Sequence, residues 1–192
     1  MRHLLFAVII ILSLLSCKST EEVAKVDVGV GKSTMDGEES YIDPVGLQVN
    51  IETKFVEVNK QSSFSIGLGY SKQGAKYDEG SGITGELKVS YLNVPILYNY
   101  LSKSGFYAEA GLQPGILLSA KDNYGGQDHD YKDYMKKFEL GIPVGAGYRF
   151  KNGCGIGTRI IQGVTKNQDD KSKNLLILAM FSYSIKKNHK DQ

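Results

Sequence analysis

The feature that most constrains this chain is a long run of residues whose side chains alternate strictly in polarity. In "FELGIPVGAGYRF", residues 138–150, every second residue is apolar, and the positions between them carry glutamate, arginine, proline and glycine. Successive side chains of a β-strand point to opposite faces, so a period of two predicts a strand with one apolar and one polar face. A helix would need a period of 3.6 residues, which is not present.

The same alternation recurs in seven other segments, which brings the predicted number of strands to eight. The other segments are residues 24–30, 45–55, 64–70, 91–100, 106–120, 156–164 and 174–185. Glycine and tyrosine are abundant, at 22 and 12 residues, and no helical period interrupts the pattern. We therefore predict an all-β fold for residues 23–186.

Long and short connections alternate between the predicted strands. The long polar connections cover residues 32–44, 72–85, 120–135 and 165–173, and the short ones cover 58–62, 101–105 and 151–153. Every second connection of an up-and-down barrel lies at the same end, and outer-membrane barrels have short turns at one end and longer loops at the other. The pattern predicts an eight-stranded antiparallel up-and-down transmembrane β-barrel.

The polar face of the predicted strands carries charges of both signs. We predict a charge network in the lumen, formed by Glu52, Lys54, Glu109, Glu139, Arg149 and Arg159. Unpaired charges in a narrow lumen would be costly, so we expect ion pairs, with Glu109 and Glu139 each satisfied by an arginine. The apolar face is flanked by tyrosines that could form an interfacial girdle, namely Tyr70, Tyr98, Tyr100, Tyr148 and Tyr183.

A lipid-anchored, lipocalin-like soluble barrel that binds a small ligand is the alternative, because lipocalins also have eight antiparallel strands. The two folds differ in which face is apolar. A lipocalin would direct its apolar face inward around the ligand, and the charged polar face seen here would make a poor lining for it.

Prolines within the predicted strands argue against uninterrupted pairing. Pro95, Pro114 and Pro143 each lack the N–H that a ladder needs, and a closed barrel has no edge strand to hold them. We expect β-bulges at these positions.

The N-terminus has the pattern of an export signal. Residues 1–16, "MRHLLFAVIIILSLLS", have a basic start and an apolar run too short to span a membrane comfortably. The run ends in "LLSC", which resembles a lipobox with Cys17 as the lipid attachment site. We predict a signal peptide at 1–16, a short tether at 17–22 and a polar C-terminal tail at 187–192.

Three segments, "YLNVPILYNYL", "FYAEAGLQPGILLSA" and "FELGIPVGAGYRF", resemble the outer-membrane β-barrel domain family of small PorT-like and OmpX-like proteins. The resemblance implies a transmembrane barrel in the bacterial outer membrane with both termini in the periplasm. It implies little about activity, because the family is functionally mixed and its PorT-like members are linked to secretion machinery. Cys17 and the tail after the last strand depart from the usual pattern.

Motifs for nucleotide or metal chemistry are weak. Gly31-Lys32-Ser33 matches the end of a phosphate-binding loop, but Val26 occupies the position of the required first glycine. His129 lies among aspartates in a long loop, which offers no fixed metal geometry. The net charge of +2 is too balanced to indicate a nucleic-acid partner. We predict no nucleotide, metal or other cofactor.

The sequence therefore predicts a small, non-enzymatic outer-membrane barrel with a filled lumen, since eight strands leave an interior only wide enough for side chains. Its partners would be outer-membrane lipid and envelope proteins, reached through the external loops or the periplasmic end. We expect a structural, surface-interaction or secretion-associated role.

Overall fold

The computed structural model describes residues 22–36, 45–78, 84–124, 126–166 and 173–186. The strands are β1 (Glu22–Asp36), β2 (Val45–Asn59), β3 (Ser62–Asp78), β4 (Thr84–Asn93), β5 (Ile96–Leu101), β6 (Phe106–Tyr124), β7 (Gln127–Asp130), β8 (Phe138–Arg149), β9 (Cys154–Gly163) and β10 (Lys173–Lys186). A short 3-10 turn covers Lys132–Tyr134. Within these ranges, no helix has the length and apolarity needed to cross a bilayer.

The strands close into one antiparallel ring. Following the hydrogen-bonded neighbours gives β2, β1, β10, β9, β8, β6, then β4 and β5, then β3, which returns to β2. β4 and β5 are consecutive parts of one wall, because both pair with β3 on one side and β6 on the other. β7 pairs only with β6 and extends its hairpin. The predicted eight-walled barrel is confirmed.

With eight antiparallel walls, the first and last strands bring both ends of the barrel chain to the same side. We call this side the terminal end and the opposite side the loop end. Tight turns at 60–61, 102–105 and 150–153 join strands at the terminal end. Gly105 and Gly153 have φ angles of 103° and 91°, a region that side chains other than glycine occupy with strain.

The strands at the loop end run beyond the predicted boundaries. β3 and β4 stay paired as far as Asp78 and Thr84, and β6 continues to Tyr124, where it pairs with Gln127 of β7. Much of the predicted loops at 72–85 and 120–135 is therefore strand. The ladder is held by backbone hydrogen bonds, which continue past the point where the apolar alternation stops.

The outer face of the ring is apolar and exposed. The exposed outward-facing residues include Val28, Val30, Val49, Ile51, Phe64, Leu68, Ile96, Leu112, Ile116, Leu118, Ile142, Val144, Ile156, Ile160, Ile177, Phe181 and Ile185. Such an extensive exposed apolar surface is the face a transmembrane barrel presents to lipid. It is the reverse of the lipocalin arrangement.

Aromatic rings border this apolar surface at the terminal end. Phe64 packs on Tyr98 with ring centroids 5.3 Å apart, and Tyr148 packs on Phe106 at 5.2 Å. Tyr100 and Tyr183 lie at the same end, whereas Tyr70 pairs with Val49 further toward the loop end. Four of the five predicted girdle tyrosines thus belong to a terminal-end girdle.

The three strand prolines leave the register of the neighbouring strands unchanged, so the prediction of β-bulges at these positions is wrong. On both sides of Pro95, the pairing of β3 with β4 and then β5 keeps one register, and the Pro95 carbonyl accepts from Gly67 N–H at 2.9 Å. The Pro114 carbonyl likewise accepts from Val94 N–H at 2.8 Å. A strand residue has both a donor and an acceptor, so proline loses one bond and keeps the other.

The one bulge in the β4–β6 ladder has a clear structural effect. Ser90 pairs with Ser119 and Tyr91 with Leu117, so Leu118 is the extra residue. The insertion allows both Leu117 and Ala120 to point inward, where an unbroken alternation would place only one of them. They join an apolar plug, formed by Met35, Ala75, Leu87, Val89, Tyr91, Leu117, Ala120 and Met135.

The predicted signal peptide, Cys17 and the tail at 187–192 lie outside the described residues, as does the predicted tether apart from Glu22.

Candidate functional site

Five charged side chains meet in the lumen on the terminal-end side of its middle. They are Lys25 and Asp27 from β1, Glu52 from β2, Glu109 from β6 and Arg159 from β9. Each occupies an inward position of its strand, since alternate residues share one face. β1 and β6 lie opposite each other in the ring. We call this group the ionic cluster.

Arg159 contacts all three carboxylates of the ionic cluster. Its Nε donates to Glu109 Oε1 at 2.6 Å, and its Nη2 donates to Asp27 Oδ2 and to Glu52 Oε1, both at 3.3 Å. Charge-assisted hydrogen bonds of this kind are about twice as strong as neutral ones. Arg159 is 1% exposed, so solvent does not screen them.

Lys25 makes a second bridge to the same three carboxylates. Its Nζ lies 3.1 Å from Asp27 Oδ2 and from Glu52 Oε2, and 3.4 Å from Glu109 Oε2. Every carboxylate of the cluster therefore contacts both cations. The Lys25–Glu109 contact joins opposite walls and crosses the full width of the lumen.

Polar and apolar side chains fill the lumen on the loop-end side of the ionic cluster. Gln48 of β2 donates to Gln113 Oε1 of β6 across the lumen at 2.9 Å, and Asn93 donates to Ser71 Oγ at 2.9 Å. A buried apolar cluster of Ile161, Leu176, Leu178 and Met180 occupies one side. The apolar plug closes the loop-end part. An interior filled in this way matches what eight strands can enclose.

The structure brings together three of the six residues predicted to form the lumen network. Glu52, Glu109 and Arg159 belong to the ionic cluster, whereas Lys54 and Arg149 line the mouth of the lumen at the terminal end. Lys25 and Asp27 were not among the residues predicted to form the network. Both lie in the predicted strand 24–30, and their separation by two residues places them on one face of it.

Glu139 lies apart from the cluster, and the expectation that an arginine satisfies it is wrong. Asn174 donates to its Oε1 at 2.6 Å, and Gln73 donates to its Oε2 at 3.5 Å. Arg149 lies on the same strand but about 33 Å away at the usual rise per strand residue, so the two side chains cannot meet. Neutral amides take the place of the expected cation.

The residues considered for metal chemistry lie on the β6–β7 hairpin. Within the described ranges, no group of three or more histidine, cysteine or acidic side chains could hold a metal ion. His129 lies on β7, where it is exposed and pairs in register with Asp122. The nearby Asp128 accepts from Asn123 Nδ2 at 2.7 Å and lies 3.7 Å from Lys121 Nζ. Those bonds hold the hairpin together.

Comparisons with known proteins agree with this geometry. A search of curated proteins found no match. Among solved structures, the chain is similar to Neisserial surface protein A with a TM-score of 0.52 and 12% identity, covering 83% of this chain and 94% of that one. It is also similar to the outer membrane enzyme PagL, with a TM-score of 0.51 and 15% identity over 83% of this chain and 98% of that one.

A third similar structure is Ail, the attachment invasion locus protein of Yersinia pestis, solved in complex with the heparin analogue sucrose octasulfate. Its TM-score is 0.50 at 15% identity, covering 84% of this chain and 96% of that one. At these identities the likeness establishes the fold alone. The profile of the outer membrane protein β-barrel domain matches residues 28–169, which is most of the barrel. The chain belongs to the outer membrane protein β-barrel domain family.

Proposed function

We propose that this protein is a non-enzymatic outer-membrane barrel with a closed lumen, which acts as a structural, surface-interaction or secretion-associated component through its two ends. The observation that carries this proposal is the ionic cluster. Lys25 and Arg159 tie Asp27, Glu52 and Glu109 together across the lumen, and the apolar plug lies beyond them. Among the described residues, these side chains fill the lumen, which favours interactions at the two ends.

The proposed orientation places both termini in the periplasm. Tight turns join strands at the terminal end, and extended hairpins such as β6–β7 project at the loop end. Outer-membrane barrels have short periplasmic turns and longer external loops. An export signal at residues 1–16 and a lipid on Cys17 fit this orientation, because both would be processed on the periplasmic side.

External recognition at the loop end is the favoured surface role. Ail is a structurally similar barrel whose structure holds the heparin analogue sucrose octasulfate. The similar PagL is an outer membrane enzyme, which makes an enzymatic role the competing function. Covalent catalysis would need a nucleophile beside a base. In the described part of this chain, His129 lies on an exposed hairpin, where Asp128 accepts from Asn123 and Asp130 accepts from the Lys132 N–H.

Two measurements test the proposal. The purified protein in planar lipid bilayers should give no steady conductance, and a persistently open pore would contradict the closed lumen. Incubation with outer-membrane lipids should leave their masses unchanged. A change in lipid mass that is lost in His129→Gln would replace the proposal with an enzymatic one, and Lys132→Gln in the 3-10 turn after β7 serves as the matched control.

A further inference from the structure

The mouth of the barrel at the terminal end concentrates positive charge. A cavity of about 740 Å³ opens there between the turns. Six cations line it, namely Lys54, Lys60, Lys103, Arg149, Lys151 and Lys186, together with the single carboxylate of Glu57. The whole chain has a formal net charge of only +2, so this excess is local. We call this surface the basic mouth.

The lysines at the loop end have a different setting. A smaller cavity there, of about 250 Å³, is lined by Lys72, Lys76 and Lys88 together with Glu86. Lys88 Nζ lies 3.0 Å from Glu86 Oε2, and Lys121 Nζ lies 3.7 Å from Asp128 Oδ2. Carboxylates therefore accompany Lys88 and Lys121 at the loop end. Among the described residues that line the basic mouth there are six cations and one carboxylate, and Lys186 pairs in register with Glu22 of β1.

Lipid headgroups are poor candidates for the occupant of the basic mouth. Lys54, Arg149 and Ser184 line the cavity from inward positions on three walls, whereas Phe64 and Tyr98 of the girdle lie on the outer face. Tyr148 borders both. A headgroup would have to leave the bilayer to reach Lys54 or Arg149. An occupant that enters from the aqueous side meets the cavity directly.

We propose that the basic mouth binds an acidic polypeptide segment of a partner protein, which deepens the proposed function and rests on its periplasmic orientation. Five of the six cations are lysines, whose flexible stems adapt to carboxylates at irregular spacing. Ser102, Ser104 and Ser184 line the same cavity, and the hydroxyls of Ser102 and Ser104 lie 2.9 Å apart, so one of these two can donate to a carboxylate while accepting from the other. The chain's own C-terminal tail, residues 187–192, contains two lysines and one aspartate and so has no net negative charge to complement the mouth.

The proposal is tested by adding fluorescein-labelled decaglutamate to the purified protein. Fluorescence anisotropy of the peptide measures the binding. The triple variant Lys60→Gln/Lys103→Gln/Lys151→Gln removes three exposed cations of the basic mouth. A charge-matched triple at the loop end, Lys88→Gln/Lys121→Gln/Lys137→Gln, is the control. Surface charge pairs each contribute a few-fold, so we expect the mouth triple to weaken binding about tenfold and the control less than twofold.

Several outcomes would overturn this assignment. Equal weakening by both triples would mean that decaglutamate recognises overall charge. Tighter, mouth-dependent binding of oligogalacturonate would assign the mouth to an anionic glycan instead. Bilayer conductance of the same preparations separates the two proposals: a silent barrel that fails to bind decaglutamate refutes the basic mouth alone, whereas a conducting barrel refutes the closed lumen.

Discussion

Replacing Arg159 by methionine tests whether the ionic cluster holds the barrel together. Methionine keeps much of the side-chain volume but removes the guanidinium that contacts Asp27, Glu52 and Glu109. Three buried carboxylates would then share Lys25 alone. These side chains are at most 8% exposed, so solvent offers the three carboxylates little compensation for the lost partner.

The expected cost follows from the distances in the cluster. Two unit charges about 4 Å apart attract by about 4 kcal/mol at an effective dielectric constant of about 20, and Arg159 contacts three such charges. The desolvation of the guanidinium offsets part of this sum. Breaking a buried ion pair by removing one partner costs about 3–5 kcal/mol in net terms. We expect Arg159→Met to lower the free energy of unfolding by that amount.

A second substitution isolates the electrostatic part. Arg159→Met/Glu109→Gln restores the original balance of charges, so we expect it to cost about 2 kcal/mol less than the sum of the two single changes. Urea titrations read by heat-modifiable gel mobility suit this chain, which has no tryptophan. Arg149→Met at the half-exposed mouth is the control and should cost less than about 1 kcal/mol. An Arg159→Met barrel as stable as the control would refute the reasoning.

Three other changes test separate parts of the molecule. Ile142→Arg, on the lipid face between the girdle and the loop end, should destabilise the barrel by about 2–4 kcal/mol, whereas Tyr98→Arg in the girdle should cost about 0–1 kcal/mol; equal gel-mobility midpoints would favour a soluble fold. Leu117→Ala in the apolar plug should cost about 2–5 kcal/mol in the same titration, and a neutral effect would mean that the plug is not packed. Cys17→Ser should leave the barrel in the outer-membrane fraction after a carbonate wash, because several acyl chains add little to a spanning barrel; release as folded soluble protein would support the lipid-anchored alternative.

The strands could be predicted from the sequence because their signal is local. Alternation from Phe138 to Phe150 shows which side chains share a face without reference to any other strand. The same parity correctly assigned Glu52, Glu109 and Arg159 to the polar face. Closure then follows, since a sheet buried in lipid cannot leave an edge unpaired.

The contacts inside the lumen could not be predicted in the same way. Which inward residues meet depends on the register between strands that are far apart in sequence, and a bulge changes that register locally. The register shift at Leu118 directs the side chain of Ala120 inward, so that it joins the apolar plug. Glu139 lies toward the loop end, where Asn174 is its partner. No local pattern contains this information.

The low identity to similar barrels is what this physics leads us to expect. A lipid-facing position requires only an apolar side chain, so any of Val, Ile, Leu and Phe can occupy it, and 12% identity to Neisserial surface protein A accompanies the same fold. The lumen is more restrictive, because each buried charge needs a matching partner across the ring. Exposed positions at the two ends of the barrel need neither an apolar side chain nor a buried charge partner. Residues such as Lys60, Lys103 and Lys151 are exposed and stabilise no core, so folding does not require the concentration of cations on which the proposed binding of an acidic segment depends.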